Sequence, residues 1–179
     1  IKQNENIEFF KNTNQLNLDN SFIFNSIPDK VNYKDKLWQH FKGVEIKTSK
    51  NVFDEKIFNL MDFDCDQRNN VHFFYTLPFA KNKALIETTW VSKMDDKSLK
   101  DYDAQLEKYI DETLKIKNYE IVYQEEGAIP LFYPSSQIEK NRINIGSAGG
   151  MTRLSTGYTF LNIQDHCKFI RENFENISN

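Results

Sequence analysis

The segment 71–92, VHFFYTLPFAKNKALIETTWVS, constrains the fold of this chain more than any other stretch. Residues 72–79 are β-branched and aromatic enough for a strand, and Pro78 belongs near its end because proline lacks a ladder donor. Residues 80–83 form a polar turn, and residues 84–91 return as a second strand. The segment therefore predicts an antiparallel β-hairpin.

The second predicted strand carries one carboxylate, Glu87. Side chains alternate along a strand, so Leu85, Glu87 and Thr89 share a face. The other face holds Ile86, Thr88 and Trp90. Burial of the first face would raise the pKa of Glu87 and make it a general acid near neutral pH. The alternative, which the pattern alone favours, is an exposed glutamate on a sheet with one wet face.

Two further carboxylates, Glu125 and Glu126, follow a predicted strand over residues 119–123. They stand beside Gly127, so we interpret them as part of a flexible loop. Like charges in a confined site push one pKa upward, which makes this pair a second acid/base candidate. As exposed loop residues they would have no chemical role, and the residues alone favour that interpretation.

A turn of small residues follows a short predicted strand over residues 143–145. The sequence is Gly146-Ser147-Ala148-Gly149-Gly150, and a helix is expected from about Thr156 and Gly157. Glycines let backbone amides approach an anion or a ring, and a helix start carries partial positive charge. The pattern therefore predicts a site where the backbone can approach an anion or a ring of a ligand closely. Residues 158–174 predict an amphipathic closing helix.

The remaining pattern favours an α+β fold with a mainly antiparallel sheet and packed helices. Strands are expected over 21–25 and 36–48, and a turn and strand over 53–63. Residues 98–117 predict a helix capped by Ser98. Its apolar face is Leu99, Tyr102, Leu106, Tyr109, Ile110, Thr113 and Leu114. The N-terminal residues 1–20 allow one strand and a turn.

Three alternating aspartates, Asp62, Asp64 and Asp66, could suggest a metal site. They lack the glycine and distal glutamate of a calcium loop, so we expect no metal. His40 and His72 each lie in a predicted strand and are interpreted as sheet histidines, with contact between His40 and a substrate as the alternative.

Composition narrows the class of protein. The chain has 179 residues, 39% hydrophobic and 27% charged, enough for one core. A net charge of -3 without a basic stripe argues against nucleic-acid binding. Cys65 and Cys167 are too few for a disulfide framework, which favours reduced thiols in a cytoplasmic protein. No stretch is apolar enough to span a membrane, although exposed aromatics leave peripheral association with its inner face open.

Residues 77–90, LPFAKNKALIETTW, resemble a segment of lycopene cyclases in which a proline-ended strand, a turn and an LEET-like or IEDT-like strand follow one another. Other segments resemble the same family in the same order and together cover most of residues 20–170. They are LWQHFKG at 37–43, MDF at 61–63, EEGAIP at 125–130 and IGSAGGMTRLSTGYTF at 145–160.

The resemblance implies a flavoprotein that cyclises the ends of lycopene to β-rings without net redox change. Glu87 falls on the glutamate that the family uses as its acid/base carboxylate, and Thr88 replaces the acidic residue usually found next. Glu125 or Glu126 would assist. The expected cofactor is reduced FAD, with NAD(P)H as its reductant, and the expected substrate is the apolar polyene lycopene. Aromatic side chains could face the cation: Phe74, Tyr75, Phe79 and Trp90.

The resemblance also places the cofactor. The contacts expected for the flavin are Gly146, Ser147, Ala148, Gly149, Thr156 and Gly157, with Ser147 where related flavoproteins carry an aspartate. The chain has only six glycines and no GxGxxG turn. We therefore expect the C-terminal part of a longer protein. Residues 1–35 would end its dinucleotide-binding part, residues 36–140 would form the substrate domain, and residues 141–179 would return to the flavin.

Two alternatives stay open at this point. The missing glycine-rich turn allows a non-catalytic module that binds an apolar ligand or a partner. A flavin-dependent monooxygenase or prenyl reductase of related fold is the other, and the glutamate in the second hairpin strand disfavours it.

Overall fold

The computed structural model describes residues 4–12, 14, 16, 20–28, 35–134 and 141–177. Its seven strands are β1 (Ile23–Asn25), β2 (Trp38–Lys47), β3 (Asn59–Asp62), β4 (Val71–Ala80), β5 (Lys83–Ser92), β6 (Glu120–Pro130) and β7 (Arg142–Asn144). An antiparallel five-stranded sheet has the order β3-β4-β5-β2-β6, and β1 pairs with β7 in a separate parallel sheet. The predicted α+β class is confirmed.

The predicted hairpin is confirmed and forms the centre of the sheet. Strands β4 and β5 pair along their length, and the turn contains only Lys81 and Asn82. Pro78 pairs with Ala84 inside β4, and the register shifts directly after it. Proline cannot donate to the ladder, so the irregularity falls where the sequence removes a hydrogen bond. The strands predicted over 21–25, 36–48 and 143–145 are present as β1, β2 and β7.

The single helix predicted over residues 98–117 is wrong. The segment consists of a 3₁₀ turn (Lys97–Lys100), α1 (Tyr102–Lys108) and a π-helical turn (Tyr109–Thr113). Ser98 is not the cap: its backbone N–H donates to Asp96 Oδ1 at 2.8 Å, so Asp96 caps the first turn. The helix ends early because Lys115 adopts a positive φ of 58°.

This helical segment covers one face of the sheet. Four of its predicted apolar residues are buried, namely Tyr102, Leu106, Tyr109 and Ile110, whereas Thr113 is exposed. Leu106, Tyr109 and Ile110 form a core with the sheet residues Val44, Ile46, Phe74, Ala84 and Ile86. We call this side, which also carries His40, Thr88 and Trp90, the helix-covered face.

The opposite side of the same strands is the Glu87 face. Strand alternation and register place Phe41, Gly43, Tyr75, Glu87 and Glu125 on it. The two faces share β2, β4, β5 and β6, so neighbouring residues of one strand belong to different environments.

The closing helix begins later than predicted. It is α2 (Phe160–Glu172), followed by α3 (Phe174–Ile177). Gly157 has a φ of +74°, and its N–H donates to Arg153 O at 2.8 Å in a turn that precedes the helix. No residue of α2 is buried. In the described ranges, no helix combines the length and apolarity needed to cross a membrane.

Parts of the earlier predictions fall outside the described residues. These are most of the strand and turn allowed for residues 1–20, the end of the turn at Asp29, and residues 135–140. The three-part domain division stays a prediction.

Candidate active site

Glu87 lies at the middle of β5 with a neighbouring strand on either side. Its register partners are Gly43 on β2 and Tyr75 on β4. The side chain is half-buried, and burial raises the pKa of Glu87 to about 7. The nearby carboxylate of Glu125 raises it further, and a hydrogen bond from Thr89 opposes the rise. The carboxyl is thus poised between its acid and base forms near neutral pH.

Thr89 provides the hydrogen bond to this carboxyl. Its hydroxyl donates to Glu87 Oε1 at 2.7 Å, and its side chain is fully buried. The register partners of Thr89 are Phe41 on β2 and Phe73 on β4. Aromatic residues on the two adjacent strands therefore flank the hydroxyl on the Glu87 face.

The predicted loop at Glu125 and Glu126 is wrong, because both residues lie within β6. Alternation separates them: Glu125 pairs with Gly43 and shares the face of Glu87, whereas Glu126 pairs with Lys42 on the other face and is exposed. The two do not act as a confined pair. Glu87 and Glu125 lie on the same face, on either side of Gly43.

Two glycines shape this part of the Glu87 face. A Cβ on Gly43 would stand 3.1 Å from Glu125 Cγ, and a Cβ on Gly127 would stand 2.7 Å from Phe41 Cζ. Each glycine thus sits opposite a large side chain that folds over it. Gly127 is a packing gap inside a strand, not the flexible hinge expected from sequence. The gap at Gly43 lets Glu125 lean toward β5.

A cavity of about 510 Å³ reaches the Glu87 face at Tyr75, although neither Glu87 nor Glu125 lines it. Tyr75, the register partner of Glu87, lines it together with Gln39, Arg153 and Tyr158. Burial raises the pKa of Tyr75 to about 12, and interactions with Tyr158 and Glu87 add to the rise. The remaining lining residues are Ile129, Thr156, Gly157, Thr159, Phe160, Leu161 and Asn162.

The predicted cofactor residues fall in two places. Thr156 and Gly157 border the cavity, and Gly157 packs so closely on Gln39 that a side chain there would overlap the carboxamide. Gly146, Ser147, Ala148 and Gly149 form a tight turn after β7. Because α2 begins only at Phe160, the turn does not lead directly into a helix start.

The turn can meet a flavin only in part. The N–H groups of Gly149, Gly150 and Met151 already donate to carbonyls of Ile145, Ser147 and Gly146. A Cβ on Gly149 would stand 2.5 Å from Asn144 O, so this glycine is required by its own strand. A Cβ on Gly146, which has a φ of +56°, would stand 3.9 Å from Ser26 Cβ, an ordinary van der Waals distance. The turn is suited to van der Waals contact with a ring or a chain. It does not present an array of free amides that could surround a phosphate.

The two histidines of the helix-covered face have their partners within the protein. His40 is hydrogen-bonded to Tyr102 Oη at 2.5 Å and to Ser92 Oγ at 2.7 Å, and burial lowers its pKa to about 4. His72 stacks on Trp90 with ring centroids 3.8 Å apart, and burial lowers its pKa as well. Both are neutral structural histidines at neutral pH, as the sequence predicted.

The aromatic residues predicted to face a cation are divided between the two sides. Phe74 and Trp90 belong to the helix-covered face, where Phe74 stacks on Tyr109 with centroids 3.9 Å apart, so neither is available beside Glu87. Tyr75 is on the Glu87 face, and Phe79 is 59% exposed near the end of β4. Within the described residues, no group of three or more His, Cys, Asp or Glu side chains is arranged to hold a metal ion, the aspartates near β3 included.

Sequence reasoning missed three residues of this site: Thr89 as a partner of Glu87, Gly43 as the gap, and Gln39 on the cavity wall. Continuing the period-two alternation of β6 through Gly127 would have placed Glu125 and Glu126 on opposite faces of the sheet. Cross-strand neighbours such as Gly43 depend on register, which a single strand sequence does not contain.

The sequence model of the lycopene cyclase protein family matches residues 5–178. No curated protein matches the chain. A solved structure of a geranylgeranyl bacteriochlorophyll reductase-like protein from Thermoplasma acidophilum shares the fold, with 11% identity and a TM-score of 0.57. That match covers 83% of this chain and 37% of the length of the reductase-like protein.

Proposed function

The chain belongs to the lycopene cyclase family, and from that premise we propose that it carries the acid/base machinery for redox-neutral cyclisation of lycopene ends to β-rings. Glu87 is the proton donor in this proposal, and Glu125 is its partner. Glu126, which points to the other face, has no part in the reaction.

One observation supports this function above the others. Two carboxylates from different strands share one face across Gly43, and neither has an ion-pair partner among the described residues. A structural carboxylate in such a setting is normally paired with a cation or exposed. Burial instead holds Glu87 partly protonated near neutral pH, which is the condition for a general acid.

The two carboxylates can donate and accept every proton that the reaction moves. Glu87 transfers its carboxyl proton to a terminal carbon–carbon double bond, which leaves a carboxylate and a tertiary carbocation on the polyene. A neighbouring double bond attacks the cation, and the new carbon–carbon bond closes the ring. Loss of a ring proton to Glu87 or Glu125 restores a double bond. The product is an isomer of the substrate, and no electrons are gained or lost.

The cofactor proposed for this family is FAD. When bound in reduced form, it supplies negative charge that stabilises cationic character in the substrate. The residues that would hold it are those of the Gly146–Gly149 turn, through van der Waals contact, and Thr156 and Gly157 at the cavity. NAD(P)H is the proposed reductant.

The polyene substrate would place one end in the cavity lined by Tyr75 and Tyr158. Phe160 and Leu161 form part of the lining and are 71% and 66% exposed. Lycopene is insoluble in water, so we propose that the protein takes it from the surface of a membrane that these two side chains contact.

Expression of the full-length protein in lycopene-accumulating cells tests the function. Chromatography and mass spectrometry should show a carotene of unchanged mass with one or two cyclised ends. Unconverted lycopene, despite a folded and flavin-loaded protein, would contradict the proposal and support the ligand-binding alternative.

A prenyl reductase is the second candidate, because the reductase-like protein from Thermoplasma acidophilum shares the fold. The same assay separates the two reactions by mass. Reduction adds two hydrogens for each double bond, whereas cyclisation adds none. The paired carboxylates favour cyclisation, because hydride transfer to an alkene has no need for two proton-carrying groups on one face.

A further inference from the structure

We infer that Thr89 is a positioning residue for Glu87: it orients the carboxyl and determines which carboxyl oxygen carries the transferable proton. This inference rests on the proposed function, since it assigns a supporting role to a residue beside the proposed acid.

The contact itself is well defined. The hydroxyl of Thr89 donates to Glu87 Oε1 at 2.7 Å, from two positions further along the same face of β5. Thr89 has no solvent exposure. Its register partners are Phe41 and Phe73, which offer no competing polar group. A buried hydroxyl needs a hydrogen-bond partner, and within the described residues Glu87 is the partner it has.

The direction of this bond determines where the proton sits. The Thr89 hydroxyl donates to Oε1 of the ionised carboxyl, and we infer that the same oxygen stays the acceptor when the carboxyl is neutral. In the neutral acid the proton therefore resides on Oε2. A threonine χ1 is also restricted by its branched Cβ, so the donor is held in place by the strand. Thr89 thus presents Glu87 to the substrate through a single oxygen.

Other titratable groups surround Glu87 and must be distinguished from the effect of Thr89. Glu125 on β6 repels the ionised form across Gly43, and Tyr75 on β4 faces Glu87 and is hydrogen-bonded to Tyr158. Further along the face, Glu45 on β2 is paired with Lys83 on β5 at 2.7 Å. Arg153 lines the cavity. Thr89 differs from all of these because it stabilises the ionised form by donation.

The adjacent residue supplies a matched control. Thr88 is equally buried, but it lies on the helix-covered face. Its hydroxyl donates to Gln105 Oε1 at 2.8 Å and is 2.9 Å from His72 Nε2. Thr88 and Thr89 therefore have the same side chain and are equally buried, but they lie on different faces of the sheet and have different hydrogen-bond partners.

The test compares Thr89→Val, Thr89→Ser and Thr88→Val in the full-length protein. Infrared titration of the carboxyl band that disappears in Glu87→Gln gives the midpoint of Glu87 without turnover. We expect Thr89→Val to raise this midpoint by about one pH unit, because a donor to the ionised form is lost. It should lower the cyclisation rate by about 10- to 100-fold and move the pH–rate profile upward. Thr89→Ser should restore both.

Thr88→Val should lower the melting temperature and leave the Glu87 midpoint and the pH–rate profile unchanged. An unchanged Glu87 midpoint in Thr89→Val, or a shifted midpoint with wild-type turnover, would overturn the inference. Failure of the proposed function looks different, since the wild-type protein itself would then form no cyclised product. The infrared titration would still decide whether Thr89 controls the carboxyl.

Discussion

The two faces of the central sheet are built from the same four strands, but they shift the pKa of a buried titratable group in opposite directions. On the helix-covered face, His40 has two hydrogen-bond partners and is held neutral, with its pKa lowered to about 4. On the Glu87 face, the pKa of Glu87 is raised to about 7 by burial and by a second carboxylate. Burial acts in both places, but only the second group titrates in the physiological range.

The difference lies in how completely the surroundings satisfy each group. Gln105 accepts from Thr88 and Trp90 and donates to Ser98 O and Asp101, so the network beneath the helix is closed. Glu87 has one donor and an acidic neighbour, and its register partner Tyr75 lines a cavity. A closed network stabilises the fold, whereas an incompletely satisfied carboxyl retains capacity for a ligand.

The largest effect is expected from Glu87→Gln, which keeps the shape of the side chain and removes the transferable proton. Cyclisation by the full-length enzyme should fall by about 100- to 10,000-fold, the usual range for a positioned general acid. Lycopene binding should persist. The matched control is Glu126→Gln, an exposed glutamate of β6 on the other side, which should keep wild-type turnover. Loss of activity in both variants would remove the distinction between the faces.

The corresponding substitution on the helix-covered face is Gln105→Leu. It leaves the Thr88 hydroxyl and the Trp90 indole N–H without their acceptor, which should cost about 2 to 4 kcal/mol of folding free energy. Chemical denaturation measures this loss. The pH dependence of turnover in the folded fraction should not change. A shifted pH–rate profile in Gln105→Leu would show that the two faces are coupled.

The two faces also predict opposite dependences of stability on pH. Glu87 binds its proton more tightly in the folded chain, so its contribution to stability falls as pH rises from about 4.5 to 7. His40 binds its proton more tightly in the unfolded chain, so its contribution falls as pH drops from about 6.5 to 4. Glu87→Gln should therefore stabilise the protein at pH 8 by about 1 to 2 kcal/mol and have little effect at pH 4. Equal stabilisation at the two pH values would contradict the burial of the Glu87 carboxyl.

A smaller effect is expected from Gly43→Ala, in the gap between the carboxylates. The added Cβ would stand 3.1 Å from Glu125 Cγ and from Leu85 Cδ1, so both flexible side chains must move. Displacing Glu125 weakens its repulsion of Glu87, and the pH–rate profile should move to lower pH with a loss of stability of about 1 kcal/mol. A profile that stays in place would show that Glu125 does not influence Glu87.

Sequence pattern alone predicted the hairpin, the mainly antiparallel sheet and the residues that share a face with Glu87, but it favoured an exposed Glu87, which is half-buried in the structure. These follow from alternation within one strand, and Leu85 to Trp90 alternate clearly. The same rule failed at Glu125 and Glu126 because Gly127 resembled the end of a strand. In the structure, Gly127 lies within β6, and the ring of Phe41 packs against it.

Other features depend on tertiary contacts that no local pattern contains. Gly43 becomes part of the site only through the register of β2 with β5 and β6. The helical segment after β5 changes from a 3₁₀ turn through α1 to a π-helical turn, although its apolar spacing indicates one continuous helix. Packing of Tyr109 on Phe74 competes there with regular helix geometry.

The central claim is that the Glu87 face holds a carboxyl that is protonated near neutral pH, and carbon-13 NMR tests it most directly. Glutamate labelled at the side-chain carboxyl, with Glu87→Gln to identify the resonance, gives the titration midpoint in the folded full-length protein. The structure predicts a midpoint of about 7 for Glu87. A midpoint at or below the ordinary value of 4.5 would show that Glu87 is a solvated strand carboxylate, and would contradict its role as the acid.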